Sequence, residues 1–308
     1  MRLLLTGSSG MLGSSMLDLI GDKYEVLSPS RNELDLLNSE DVLNYFVEHK
    51  PNLIIHAAAR VGGIQANIEN GFDFLTENLK IDSNIFNAAR LLRIANLIYM
   101  GSTCMYPKDR DFALRESDLL TGSLEPTNEG YALAKIIGTK TVELAAQMEN
   151  LTWRTLILSN LYGPKDHFEP ERSHLIAAVI RKVDLALESG SPSISMWGDG
   201  TSRREFTFVT DVAEFIAHNL ENLKTLPITM NLGAGIDYSI LEFYEMISEL
   251  MGYKGKIISD PSKPNGMKRK LSDSALATRN GWCAKTKISD GLAETIAWYN
   301  DNKVRYSL

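Results

Sequence analysis

Cysteine is nearly absent from this chain: Cys104 and Cys283 are the only two in 308 residues. So few, so far apart, make no disulfide framework. Free thiols suit a reducing compartment, and the cytoplasm is the expected location. Long apolar runs are also missing, so no segment is expected to span a membrane. The opening residues, MRLLLTGSSG, carry one arginine and a short apolar run that ends in glycines, unlike a secretory signal. Positive charge is in short supply: 32 Lys and Arg face 39 Asp and Glu, a formal net charge of −7. That argues against a nucleic-acid or anionic-membrane surface, while leaving room for a local basic pocket that takes a small phosphorylated ligand. There is no internal repeat and no low-complexity linker.

What is present is alternation. Apolar runs at 2–6, 24–28, 52–58, 95–100 and 152–159 read as strands. Helix-period segments follow at Met11–Ile20, Ser39–Glu48, Phe74–Leu92 and Tyr131–Gln147. Strands apolar on both faces, each followed by an amphipathic helix, predict a parallel sheet covered on both sides. The fold class expected is α/β: a Rossmann-type doubly wound parallel sheet with a smaller C-terminal α/β domain. Residues 1–164 form the first domain, and the chain returns to it around 205–233. Residues 165–204 and 234–308 form the second. Beyond residue 164 the pattern loosens. KDHFEPERSH reads as loop and His174–Leu187 as helix; FTFVTD (206–211) and TMNLG (229–233) read as late strands. Two further helical stretches flank the basic loop SKPNGMKRK (262–270).

Gly7, Gly10 and Gly13 stand at GxxGxxG spacing between the first strand and the first helix. Glycines there let the backbone turn tightly and approach a pyrophosphate, which then rests on the helix N-terminus. After the second strand an NAD site usually carries an acidic residue for the ribose 2′-hydroxyl. Here the segment is SPSRNE, with Arg31 and two serines, which suits a 2′-phosphate and hence NADP(H). The alternative is a solvated surface arginine.

Tyr131 and Lys135 stand at i and i+4, on one face of a helix. An ammonium beside a phenol favours the phenolate, so the pair is expected to bring a tyrosine into acid–base range. The strand upstream runs straight into Ser102, which could hydrogen-bond a substrate oxygen beside that phenol. Cys104 follows two residues later. Taken alone, a cysteine is a small buried hydrophobe, and a histidine opening a helix, such as His174, is a cap or surface residue.

Together GxxGxxG, Ser102 and the Tyr131/Lys135 pair resemble the extended short-chain dehydrogenase/reductases, as does RREFTFVTDVA (203–213). More closely, the chain resembles the GDP-L-fucose synthase family, nearly end to end. The matching stretches are AAARVGGI, GSTCMYPK, LEPTNEGYALAKIIG, NLYGPKD, SHLIAAVIRK, WGDGTSRREF and SKPNGMKRKLSD. The resemblance implies an NADPH-dependent enzyme converting GDP-4-keto-6-deoxy-D-mannose to GDP-L-fucose, by epimerisation at C3 and C5 and then reduction at C4. It implies that Tyr131 protonates the C4 oxygen, Ser102 holds it, and Lys135 lowers the tyrosine pKa and binds the nicotinamide ribose. The epimerising pair falls on Cys104 and His174. The cofactor set becomes Gly7, Ser9, Gly10, Met11, Gly13, Arg31 and Ala58, with Lys135 and His174. Lys182, Trp197, Arg204 and Lys270 fall to the GDP-sugar, and no metal enters the reaction.

The sequence departs from that family's pattern. Ser9 stands where an arginine is frequent beside the glycines, Gly130 replaces a proline before Tyr131, and Thr103 replaces a serine. Lys182 sits where an arginine is common, and Ala177 where a proline is. None removes a reacting group. They open the identity of the sugar, with a GDP-6-deoxy-4-keto-heptose or a GDP-colitose precursor as alternatives. Fold relatives pair through their two long helices, so a homodimer is expected. Burial of those helices on the sheet explains much of the same pattern.

Overall fold

The structure, a computed structural model, describes residues 1–170, 173–262 and 266–306. Residues 171–172 of the expected loop KDHFEPERSH and residues 263–265 of the basic loop lie outside it.

Strands β1 (Arg2–Thr6), β2 (Glu25–Leu27) and β3 (Leu53–His56) alternate with helices α1 (Met11–Ile20) and α2 (Ser39–His49). Then come α3 (Ile64–Glu69), α4 (Gly71–Leu91), β4 (Asn96–Ser102), α5 (Glu129–Met148) and β5 (Thr152–Leu158). Side-chain alternation along each strand feeds two cores. Leu3 and Leu5 face α1, while Leu4 faces α2 and α4; Leu53 and Ile55 divide from Ile54 in the same way. This is why these strands read as unbroken apolar runs.

Beyond β5 the chain adds β6 (Asn160–Tyr162), α6 (Leu175–Ser189), β7 (Ser193–Trp197), β8 (Arg203–Phe208), α7 (Val209–Asn219) and β9 (Thr229–Leu232). The last are β10 (Asp237–Ser239), α8 (Ile240–Met251), β11 (Lys256–Asp260), β12 (Arg269–Lys270), α9 (Ala275–Thr278) and α10 (Ile288–Asn302). The main sheet is parallel throughout, in the order β2-β1-β3-β4-β5-β9. Its order reverses at β1, which opens a crevice at the C-terminal ends of β1 and β3.

The expected strand at 206–211 is corrected. β8 ends at Phe208, and Val209, Val212, Ala213 and Ile216 recur at helical spacing as α7, which packs beside α1. The Asp211 side chain anchors this first turn by accepting from the Lys285 and Thr286 backbone N–H groups, 2.9 Å each. β8 also stands outside the main sheet. Its first half pairs with β10 and β12 and its second half with β6, beneath a separate core of Phe206, Phe243, Ile247 and Ile296. β7 and β11 form a third, two-stranded sheet.

Candidate active site

The glycine turn is shaped by contact. Gly7 has φ +72, and a Cβ there would stand 2.7 Å from the Ala58 nitrogen. A Cβ on Gly13 would stand 2.1 Å from the Gly7 carbonyl oxygen. Only glycine allows β1, α1 and the Ala57–Ala58 backbone to close this tightly. Gly10 caps α1 without a side chain, and no acid stands in its first turn, so the Met11 end presents bare amides and the positive end of the helix dipole. A dinucleotide diphosphate fits that cradle. Ser9 and Arg31 are both exposed, and Arg31 makes no ion pair or hydrogen bond among the described residues. It follows the end of β2, where the ribose 2′ position of such a ligand is read.

Behind the cradle runs a buried polar line. Ala58 N donates to Thr6 Oγ1 (3.2 Å), which lies 2.7 Å from His56 Nδ1. His56 Nε2 lies 3.0 Å from Asp82 Oδ1, and the Tyr99 hydroxyl donates to Asp82 Oδ2. The Lys135 ammonium stands 4.4 Å from the centroid of the Tyr99 ring. Burial pushes the Asp82 carboxyl up, but the Lys135 charge and the His56 and Tyr99 contacts outweigh it and hold the carboxyl below its usual range. Burial lowers Lys135, and Asp82 opposes that. Sequence reasoning missed His56, Asp82 and Tyr99. A histidine closing an apolar strand was the one visible signal.

Tyr131 sits on α5 with its ring centroid 6.0 Å from the Lys135 ammonium. Contrary to expectation, its phenol is raised. Burial is the main cause, and the nearby Cys104 and Asp82 charges add to it. Tyr131 is therefore a neutral phenol.

Ser102 ends β4 and caps the following turn, its Oγ accepting from the Cys104 N–H at 3.2 Å. That cap turns Cys104 out of the strand line. Its Sγ accepts from Asn128 Nδ2 at 3.3 Å and lies 3.7 Å from Lys270 Nζ. Asn128 belongs to the stretch LEPTNE but was not singled out. Lys270 arrives because β12 runs parallel to β8 with Lys270 opposite Arg204. Arg204 is lowered by burial, while Glu125 and Cys104 pull it back up.

The remaining expected residues are spread more widely. His174 is the exposed N-cap residue of α6, and the neighbouring Ser173 carbonyl reaches Gly63 at the start of α3. The His174 pKa is lowered, by desolvation first and then by His167. Lys182 is already engaged, with its Nζ 2.6 Å from the Ser195 carbonyl and 3.2 Å from the Tyr244 hydroxyl. Trp197 ends β7, partly exposed, opposite Asp260. No helix among the described residues is long and apolar enough to cross a membrane.

The chain is similar to several known proteins. The family model described as "NAD dependent epimerase/dehydratase family" matches residues 3–233. A GDP-L-colitose synthase of Yersinia pseudotuberculosis is 45% identical over 98% of this chain and 99% of its own length. A GDP-L-fucose synthase of Azorhizobium caulinodans is 40% identical over 97% of this chain and 96% of its own. Among solved structures, a GDP-mannoheptose C4 reductase from Campylobacter jejuni with NADP bound superposes with a TM-score of 0.88. It shares 30% identity over 97% of this chain and 98% of that one.

Proposed function

The chain belongs to the NAD dependent epimerase/dehydratase family, within the group of the GDP-L-fucose and GDP-L-colitose synthases, and we propose that it converts GDP-4-keto-6-deoxy-D-mannose to GDP-L-fucose with NADPH. The observation that carries this reading is Cys104. Its sulfur sits two residues from Ser102, beside two donors and close enough to Tyr131 to influence its charge. A plain ketoreductase needs no such thiol.

The chemistry follows from the substrate. A ketone at C4 acidifies the protons on C3 and C5, because the resulting carbanion is an enolate. Cys104 as thiolate removes such a proton, and His174, protonated from solvent, returns one to the opposite face. Ser102 and Tyr131 hold the C4 oxygen while it carries negative charge, in the enolate and again in reduction. Tyr131 then gives that oxygen its proton. Gly7, Ser9, Gly10, Met11, Gly13, Ala58 and Lys135 would hold NADP(H), with Arg31 on its 2′-phosphate, and the bound cofactor would supply the hydride. Arg204, Lys182 and Trp197 serve the GDP moiety, the cations pairing with phosphate oxygens.

Residues 1–164, with the return around 205–233, carry the cofactor, and residues 165–204 and 234–308 carry the GDP-sugar. Leu91, Ile137, Leu144 and Met148 leave apolar surface exposed along α4 and α5. A homodimer paired through these helices would cover it. The free thiols fit a cytoplasmic enzyme.

A second reading keeps the site and changes the sugar to the 3-deoxy precursor of GDP-colitose. The 45% identity to the colitose synthase favours it. Measuring kcat/KM on 4-keto substrates with and without the C3 hydroxyl separates the two. The fucose reading expects a preference of about tenfold or more for the hydroxylated sugar. The reverse ratio carries the colitose reading.

A further inference from the structure

Lys270 is 7% exposed, and among the described residues no carboxylate lies within ion-pair distance of its ammonium. A buried ammonium without a negative partner is costly. Its polar contact is the Cys104 sulfur at 3.7 Å, across 166 residues of chain. Asn128 directs its side-chain N–H to the same sulfur at 3.3 Å, although this leaves its own Oδ1 buried and without a partner among the described residues. Both donors thus converge on one sulfur, and both are best satisfied when that sulfur is an anion.

We propose that Lys270 and Asn128 are a positioning pair that holds Cys104 as the thiolate, so that Lys270 serves the proton-abstracting sulfur and not the diphosphate. The proposal rests on the epimerase reading above. The thiol proton is lost to solvent before turnover. In turnover the sulfur lone pair takes the carbon-bound proton, and the C–H electrons move onto the C4 oxygen. Two other charged or titratable groups act on the sulfur: Arg204 from β8, which favours the anion, and Tyr131 from α5, which is neutral. Because β12 carries Lys270 and β4 leads into Cys104, the thiolate forms only where the two parts of the chain meet.

The test uses the full chain with Cys283→Ser, which leaves Cys104 as the one thiol. Alkylation by iodoacetamide is followed against pH with no sugar present. Lys270→Met should raise the midpoint by about one unit, an alkylation about tenfold slower below both midpoints. Lys270→Arg should restore it, and Asn128→Asp should raise it by placing a carboxylate against the sulfur. GDP affinity should change less than about threefold in Lys270→Met. An unmoved midpoint in Lys270→Met, with GDP binding weakened about tenfold or more, would overturn the proposal and return Lys270 to the diphosphate. If Lys270→Met does not fold, Asn128→Asp reads the same midpoint. A moved midpoint in a protein that turns over no GDP-sugar would uphold this pair while sinking the epimerase reading. Turnover with an unmoved midpoint would do the opposite.

Discussion

Asp82 and His56 meet at 3.0 Å, Oδ1 to Nε2, with both side chains almost wholly out of water. The Tyr99 hydroxyl holds the other carboxylate oxygen, and Lys135 supplies the charge that Asp82 answers. Removing the charge leaves a buried lysine without its counter-ion. Asp82→Asn should therefore cost about 3 kcal/mol of stability by urea unfolding at pH 7. Asp82 is held below its ordinary range, so its contribution is complete above the unfolded value of about 3.9. It is lost as pH falls through the lower folded value. The penalty of Asp82→Asn should accordingly be larger at pH 7 than at pH 3, and equal penalties at the two would contradict this account.

Asp166 gives the opposite sign. Its carboxyl is buried, accepts from the His167 N–H at 2.7 Å, and leaves Oδ2 without a partner among the described residues. Burial, with a smaller push from Glu169, raises it to about 7. The folded protein then holds a proton that the unfolded chain has released, and stability is lost as pH climbs from about 4 to about 7. Asp166→Asn keeps the acceptor and cannot ionise. Relative to wild type it should gain about 2 kcal/mol or more between pH 5 and pH 8. Parallel stability curves for the two proteins would show that the carboxyl is already charged at pH 5.

Arg31 stands exposed after β2 with no partner among the described residues to hold it. If it reads the 2′-phosphate, Arg31→Ala should weaken NADPH binding about tenfold or more and leave NADH binding nearly unchanged. Fluorescence titration with both dinucleotides gives the ratio. Equal losses for the two would assign the 2′-phosphate to other groups.

The sequence carried the sheet well because period-2 burial on both faces left unbroken apolar runs. Leu3, Leu4 and Leu5 divide between two cores yet read as one strand. The glycine turn was legible because Gly7 and Gly13 have no room for a side chain. The short strands β6, β7 and β10 to β12 were not foreseen, since their residues are partly exposed and pair across long loops. The site divided along the same line. Tyr131 and Lys135 could be paired by helix spacing and Ser102 set beside them by the strand that runs into it, whereas Cys104 was singled out only through the family resemblance. Lys270 reaches Cys104 only through the β8–β12 register, and Asp82 reaches Lys135 only through helix packing. The sign at Tyr131 was misjudged for a related reason: spacing shows that an ammonium is near, but not how far burial and the neighbouring Cys104 and Asp82 charges raise the phenol.

The central claim is that one site both moves carbon-bound protons and reduces the ketone. Turnover of GDP-4-keto-6-deoxy-D-mannose with NADPH in heavy water tests it most directly, with the product read by NMR and mass spectrometry. The account predicts GDP-L-fucose carrying solvent deuterium at C3 and C5, and a Cys104→Ser variant that loses the deuterium and the inverted centres. NADPH oxidation that leaves C3 and C5 free of deuterium in the wild-type product would contradict it and make this chain a C4 reductase alone.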